Sequence, residues 1–473
     1  MFDIIDSRKV IHFVGIGGIG MSGLAEILHS LGCTVKGSDK IRSPNLERLE
    51  KLGIKIFIGH SESNVVDSDI VVYSSAIKED NSELTYAKHH KIPILARAEM
   101  LSQIVRFKKS VIIAGSHGKT TVTSLSAALL EMANFNPTVV NGGIINAYQT
   151  NAKLGKGDWA VVESDESDGS FVHFFPTIGI ITNIDYEHIN HYTSFDNLRA
   201  AFGNFIGNIP FYGCCIACID DLNVSELISN IYDKKIITYG IKSNKAMYKG
   251  VNIRKTDSES IFDVEIQDRK TITDINIPLL GDHNIKNSLS VIAMAKEIGI
   301  DDDEIIRSTL AGFTGVKRRF THVGDINGVK IIDDYAHHPT ELIAVLNAAY
   351  QATNGHVAII CQPHRFTRLN SLFNEFVSIL QKSDIRIITP VYKADDTEIG
   401  HLNSDDLYEA ISKTTRKETT FFANDEYDLE NIILSLINAK KLTKGDIILF
   451  TGAGSISKWA YDIVSKNGNK CAS

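Results

Sequence analysis

VIIAGSHGKTT, residues Val111–Thr121, decides the reading of this chain. Val111, Ile112, Ile113 and Ala114 form an apolar run suited to a buried strand, and a helical pattern runs from about Thr120 to Met132. Between them stand Gly115, Ser116, His117, Gly118, Lys119, Thr120 and Thr121. Glycines let backbone N–H groups close around phosphate oxygens, a lysine neutralises terminal phosphates, and a threonine hydroxyl can hold Mg²⁺. The usual loop has a further glycine where this chain has Ile113, so the motif is a shortened Gly-x-x-Gly-Lys-Thr-Thr. Its setting between a strand and a helix start separates it from a chance Gly-Lys-Thr and predicts a nucleotide-phosphate site.

Outward from the loop, strands WAVVES and TIGIITN follow, and β-like material extends to about Pro278. Upstream, VIHFVG reads as a strand and Met21–Leu31 as a helix with Leu24, Leu28 and Leu31 on one face, closed by Gly32. CTVKGSD and DIVVYSSA read as the next strands. Downstream, VKIIDD, HVAIICQ, DIRIITP and DIILFTG alternate with helical TELIAVLNAAY and LNSLFNEFVSIL. Such alternation is the signature of parallel α/β sheets. The expected fold is α/β with three consecutive domains: a Rossmann-like N-terminal domain over 1–106, a central P-loop-type ATPase domain over 107–314 and a Rossmann-like C-terminal domain over 315–473.

Composition agrees. The 473 residues are material for about three domains of ~150 residues. At 43% hydrophobic and 22% charged, the chain reads as a soluble globular protein. A net charge of −8 speaks against nucleic acid or an anionic membrane as partner. No apolar run approaches the ~20 residues of a membrane span, and Asp3 and Asp6 do not suit a signal peptide. The cysteines are Cys33, Cys214, Cys215, Cys218, Cys361 and Cys471; Cys215 and Cys218 make a lone CxxC without the four ligands of a zinc knuckle. They are expected to be core residues in a reducing compartment, the cytoplasm.

Two segments after the loop carry oxygen and nitrogen donors. VVESDESDGSF holds Glu163, Asp165, Glu166 and Asp168; TNIDYEHINHY holds Asn183, Glu187 and His188. Glu163 ends an apolar strand, at the sheet edge where α/β proteins bind ligands. Asp165, Glu166 and Asp168 read equally well as a solvated loop. Glu163 and His188, with Thr120, are the expected metal ligands beside ATP. Mg²⁺ prefers oxygen donors, so a histidine would also suit Mn²⁺.

GSHGKTT, ESDESD, the TNxxxEH segment, GDHNIKN (Gly281–Asn287) and DDYAHHPTE (Asp333–Glu341) occur in this order. As an ordered set they resemble the muramyl ligase family, which joins amino acids to UDP-linked muramic acid, and the resemblance spans nearly the whole chain. The family pattern has Asp-His where this chain has Glu187-His188. The resemblance implies ATP and Mg²⁺ as cofactors and Lys119, Glu163 and His188 as the catalytic set. It also implies adenosine contacts from His283, Asn284 and Asn287, although GDHNIKN alone reads equally as a polar loop capping the next helix.

GIGGIG supplies Gly15, Gly17, Gly18 and Gly20 after a strand, with Asp39 farther on. Read alone this is the dinucleotide fingerprint, with the acid placed for a ribose hydroxyl, and it points to an NAD-dependent oxidoreductase. The separate phosphate loop opposes that reading. GIGGIGMSGLA followed by GSD resembles the family branch that uses alanine, which implies UDP-N-acetylmuramate and L-alanine as substrates. Ser38, Asp39, His60, Ser74 and Ser75 would then lie near the UDP moiety. A muramyl-peptide recycling ligase of the same family is the nearest alternative, and a non-catalytic nucleotide sensor a more distant one.

In the third unit, VKRRF, DDYAHHPTE and QPHRFTR supply Arg318, Arg319, Tyr335, His337, His338, His364, Arg365 and Arg368. Two such clusters at strand ends suggest anion or carboxylate binding. By the resemblance, Arg319, Tyr335, His337, His364, Arg365 and Arg368 would meet the muramoyl or amino-acid end of the substrates, with this domain closing over the site. Gly-Ala-Gly-Ser455 departs from the expected Gly-Ala-Gly-Asp. Relatives that add later residues use a carbamylated lysine shortly after the metal-binding histidine. Here no lysine occurs between Lys156 and Lys234, and the only cation of LRAAFGNFIGN is Arg199.

Overall fold

In the computed structural model, which describes residues 9–470 except 75, 147–149, 168, 188, 395, 397–401 and 415–416, the glycine turn of the N-terminal sheet sits at a crossover point. Five parallel strands run in the order Lys55–Ile58, Thr34–Asp39, Val10–Val14, Ile70–Tyr73, Ile94–Ala96. The chain leaves Val14 where strand order reverses, which opens the crevice that ligands use in such sheets. Helix Ile19–Ser30 follows directly. It ends in a Schellman motif: Gly32 N–H donates to the His29 carbonyl, and Cys33 N–H to the Leu28 carbonyl.

Strand Lys109–Ala114 lies inside a ten-stranded sheet, paired in parallel with Ile178–Ile181 and Trp159–Glu163. That position explains its unbroken apolar run, because both faces are covered. Helix Lys119–Met132 begins one residue earlier than the sequence pattern suggested. Strand Cys214–Cys218 is wholly buried, and Cys214, Cys215 and Cys218 are free thiols. Burial pushes Cys214 up to about 12 and Cys218 to about 11. These cysteines are core residues, as expected from the lone CxxC. Helix Ile19–Ser30 packs on the hairpin Thr138–Ile145/Thr150–Lys153, so Leu24 and Leu28 share a core with Val140 and Ala152.

Residues 1–253, 262–277 and 285–315 form one compact unit; 254–261, 278–284 and 316–473 form the other. The second holds a seven-stranded sheet, ordered Thr420–Phe422, Ile385–Ile388, Val357–Cys361, Ile447–Thr451, Val329–Asp334, Thr321–Ile326, Asn469–Lys470. Strand Val357–Cys361 shows why it is central: Val357, Ile359 and Cys361 join one core, Ala358 and Ile360 the other, so alternate side chains fill both faces. Pro339 opens helix Pro339–Ala352 with His338 as N-cap. The single helix expected over LNSLFNEFVSIL is two, Phe366–Ser371 and Phe373–Leu380, broken at Leu372 with φ −123°. With one α/β sheet per domain, the fold is the three-domain α/β architecture. No helix among the described residues is long and apolar enough to cross a membrane.

Candidate active site

The phosphate loop is built on left-handed backbone. Gly118 is the N-cap of helix Lys119–Met132 at φ 85°, a conformation that costs a residue with a β-carbon. A β-carbon there would also lie 2.9 Å from Asn287 Oδ1, so Asn287 closes on the loop. His117 N–H donates to Asn183 Oδ1 at 2.8 Å, and the His117 carbonyl accepts from Thr182 Oγ1 at 2.6 Å. Ser116 Oγ accepts from Asp185 N–H at 2.8 Å. The strand end at Thr182–Asp185 thus fixes the loop's shape. His117 Nε2 lies 3.1 Å from Asp185 Oδ2.

Lys119 Nζ donates to the Gly115 carbonyl at 2.6 Å and to Glu166 Oε1 at 2.9 Å. Burial alone would lower its pKa, but the Glu166, Glu163 and Asp165 carboxylates outweigh that and raise it, so the ammonium stays charged. Glu166 is only 1% exposed. Of the three acids that read equally as a solvated loop, it is an ion-pair partner and Asp165 is exposed; Asp168 lies outside the described residues. Glu166 was missed as a site residue because nothing in ESDESD distinguishes one acid from the next.

Glu163 emerges at its strand end as expected. Its Oε1 accepts from Thr120 Oγ1 at 3.2 Å and its Oε2 from Gly142 N–H at 2.7 Å. A β-carbon on Gly142 would lie 2.4 Å from Oε1, so only glycine leaves this carboxylate its place. The Thr120 hydroxyl and Glu163 carboxylate are a hard oxygen pair one residue from Lys119, which suits Mg²⁺. Thr121 is also buried. His188 lies outside the described residues. GDHNIKN is no capping loop. Helix Asp282–Ile298 begins within it, so His283, Asn284 and Asn287 occupy that helix's first turns.

The third-domain candidates form one aromatic and cationic cluster. The Arg318 and Arg319 guanidinium carbons lie 4.6 and 5.6 Å from the Tyr335 ring centre. The His337 and His364 rings are 5.5 Å apart, and His364 stacks on Tyr392, which no motif flagged. Arg368 Nη1 lies 3.3 Å from His364 Nδ1. Burial, then His337, Arg368, Arg365 and Arg318, hold His364 down at about 3. It is therefore a neutral ring at pH 7. Arg365 sits at φ 69°, a strained conformation for a residue with a β-carbon. Ser455 Oγ accepts from Gln362 Nε2 at 3.1 Å.

At the N-terminal turn, Gly17 N–H donates to Asp39 Oδ2 at 2.8 Å, and Asn45 Nδ2 to the Gly17 carbonyl at 2.9 Å. The Ser38 carbonyl accepts from the N–H groups of Gly15 and Ile16. Ser74 lies beside Gly15, while Ser75 lies outside the described residues. Ser38 and His60 were expected at the ligand, but their side chains join a buried knot around Glu83. Ser38 Oγ donates to Glu83 Oε2 at 2.5 Å, Asn64 Nδ2 to Oε1 at 2.7 Å, and His12 Nε2 lies 3.2 Å from Oε2. Ser38 Oγ is also 3.0 Å from His60 Nδ1.

Burial opposes the Glu83 charge, yet the bonds from His12, Ser38 and Asn64 hold its pKa down at about 2. A carboxyl depressed on folding contributes stability above its unfolded pKa and loses it as pH falls through the folded value. Glu83→Gln should lower the unfolding free energy at pH 7 by about 3 kcal/mol at most. That gap to wild type should hold down to pH 5 and narrow below it, as denaturant titrations across pH will check.

Three family profiles cover the chain in order: the Mur ligase family catalytic domain over 10–109, the Mur ligase middle domain over 113–295, and the Mur ligase glutamate ligase domain over 318–454. The UDP-N-acetylmuramate–L-alanine ligase of Brucella anthropi is 48% identical over 456 residues, 96% of each chain. That of Brucella ovis is 48% identical over 459 residues, again 96% of each. The solved UDP-N-acetylmuramate–alanine ligase of Thermotoga maritima superposes with TM-score 0.81 at 30% identity, covering 97% of this chain and 99% of that one. A murein peptide ligase from Psychrobacter arcticus shares the fold, with TM-score 0.70 at 24% identity over 98% of this chain and 100% of that one. With profiles spanning all three sheets and near-full-length identity to curated relatives, this chain belongs to the Mur ligase family.

Proposed function

We propose that this chain joins L-alanine to UDP-N-acetylmuramate with hydrolysis of ATP to ADP and phosphate, the first amino-acid addition to the peptidoglycan stem peptide, in the cytoplasm. One observation carries the reading: a charged Lys119 and the Thr120–Glu163 oxygen pair stand side by side at one phosphate loop. The substrates named for the Brucella and Thermotoga relatives support the choice of alanine over an intact peptide. A separate glycine turn is then left for UDP, and the NAD reading loses its motive.

In the proposed reaction the lactyl carboxylate attacks the ATP γ-phosphorus, giving an acyl phosphate and ADP. The alanine amine then attacks the acyl carbon and expels phosphate. Neither step needs a side-chain nucleophile, so the chain's work is positioning and charge neutralisation. Thr120, Glu163 and His188 would hold Mg²⁺, which when bound offsets charge on the phosphoryl group. Gly115, Ser116, His117, Gly118 and Thr121 supply the loop that orients the phosphates, and Lys119 supplies a cation whose protonation does not vary near neutrality. Asn287, with His283 and Asn284 on the same helix, would meet adenosine. Gly15, Gly17, Gly18 and Gly20, with Asp39, Ser74 and Ser75, would bind the UDP moiety, and Ser38 and His60 would support their turn through the Glu83 knot. Arg319, Tyr335, His337, Arg365 and Arg368 would bind the carboxylate-bearing ends, with His364 as a neutral donor or acceptor.

Phosphate release from ATP in the presence of UDP-N-acetylmuramate, scanned over single amino acids and short peptides, tests this. L-alanine should give the highest turnover; a preference for peptides would move the assignment to a recycling ligase. Lys119→Ala should cut that turnover by ~100-fold or more while leaving the circular-dichroism spectrum unchanged. Near-normal turnover would remove the loop from the mechanism.

The chain has no lysine between Lys156 and Lys234 to be carbamylated, and Arg199, paired with Glu226 at 3.4 Å, offers a guanidinium in place of an amine. Ligation is therefore expected to be independent of dissolved CO₂. Rates in degassed buffer should match those with added bicarbonate at constant pH, and a several-fold rescue would show that another group forms a carbamate.

A further inference from the structure

Arg97, the first residue of helix Arg97–Val105, stands beside the N-terminal glycine turn, and no motif marks it. Its side chain is only 21% exposed. It crosses the open face of Gly20, where a β-carbon would lie 3.0 Å from Nη1 and 3.2 Å from Cδ. In a dinucleotide turn the third glycine admits close helix–strand packing; here it admits a guanidinium. On the other side, Nη2 is 4.0 Å from Asp165 Oδ2, too far for a hydrogen bond. Among the described residues the guanidinium makes no hydrogen bond, and none of its nitrogens is sealed from solvent. A largely buried fork of five donors with a single distant counter-charge is poised for an anion. Asp165 precedes Glu166, the partner of Lys119, so Arg97 lies between the glycine turn and the acid loop of the phosphate site.

We infer that Arg97 is a binding and positioning residue for the nucleotide-linked substrate: its guanidinium completes the diphosphate site at the Gly15–Gly20 turn, and Asp165 steadies it in place. The inference rests on the substrate reading given above. Two planar N–H pairs match the paired oxygens of a diphosphate better than a point charge does, and helix Ile19–Ser30 begins at the same turn with no side-chain cap, which leaves its first-turn N–H groups to the same ligand. Gly20 and Arg97 then form one device, since a side chain at position 20 would displace the cation.

Calorimetry with UDP and with UDP-N-acetylmuramate, beside steady-state kinetics of the full chain, tests it. Arg97→Met keeps the apolar stem and removes the charge. It should weaken both ligands about tenfold or more, raise KM for UDP-N-acetylmuramate to match, and leave KM for ATP and L-alanine within about twofold. Arg97→Lys should recover part of the UDP affinity, which a purely packing role would not predict. Unchanged UDP affinity in a folded Arg97→Met protein overturns the inference. Weakened UDP-N-acetylmuramate with unchanged UDP also overturns it, by moving the contact to the sugar acid. Should Arg97→Met not fold, Arg97→Lys decides: a several-fold loss confined to the UDP ligands supports the inference, and unchanged affinity ends it. A wild type that binds UDP but ligates no amino acid would refute the ligase reading and leave the Arg97 test standing.

Discussion

A lysine ammonium that is almost out of water needs counter-charge, and around Lys119 this requirement organises the central domain. Its side chain is 13% exposed, and an unpaired cation at that depth would lose its proton or destabilise the fold. Glu166 neutralises it from the loop that follows strand Trp159–Glu163. The end of the same strand sets the Glu163 carboxylate against the Thr120 hydroxyl. The pairing of strand Lys109–Ala114 with Trp159–Glu163 therefore does two things at once. It joins the two flanks of the sheet, and it delivers the acids that make a buried cation tolerable.

How much of this was legible in the sequence depends on whether a residue's role follows from its neighbours in the chain. The phosphate loop was legible because glycine, lysine and threonine act there through local backbone geometry. The Rossmann-like turn was legible for the same reason. Glu166 was not, because ESDESD presents several equivalent acids and only the tertiary turn selects one for burial. Arg97 and Glu83 were silent because each meets residues distant in sequence, from segments with no compositional mark: Glu83 meets His12, Ser38 and Asn64, and Arg97 lies against Gly20 and near Asp165. GDHNIKN read as a possible loop since its polar residues obscure a helix start that Gly281, at φ 87°, makes possible.

The third domain shows a different limit. Its histidines and arginines read as a set of positive charges, yet burial, and then crowding by neighbouring cations, makes His364 a neutral ring. Charge counted along a sequence overstates charge in space wherever like groups converge, because each lowers the proton affinity of the next. Asp334, buried beside Arg319, moves the other way and is pushed up to about 6 by its loss of water. With His364 neutral, the cluster carries less positive charge at neutral pH than its letters suggest, and the carboxylate recognition proposed for it would lean on arginine geometry.

Gly142 carries a last consequence. The Glu163 carboxylate is held by a main-chain N–H at 2.7 Å and by the space that a missing β-carbon leaves. The Thr120 hydroxyl, 3.2 Å from Oε1, can be removed by substitution, but the main-chain anchor at position 142 can only be spoiled by addition. Position 142 is solvent-exposed and chemically blank, the kind of site where sequence drift is ordinarily tolerated. Here even alanine would push the carboxylate aside while leaving every core contact in place. If Glu163 has the metal-binding role proposed for it, such a variant folds and is still impaired, its lesion recorded by a residue that contributes no functional group at all.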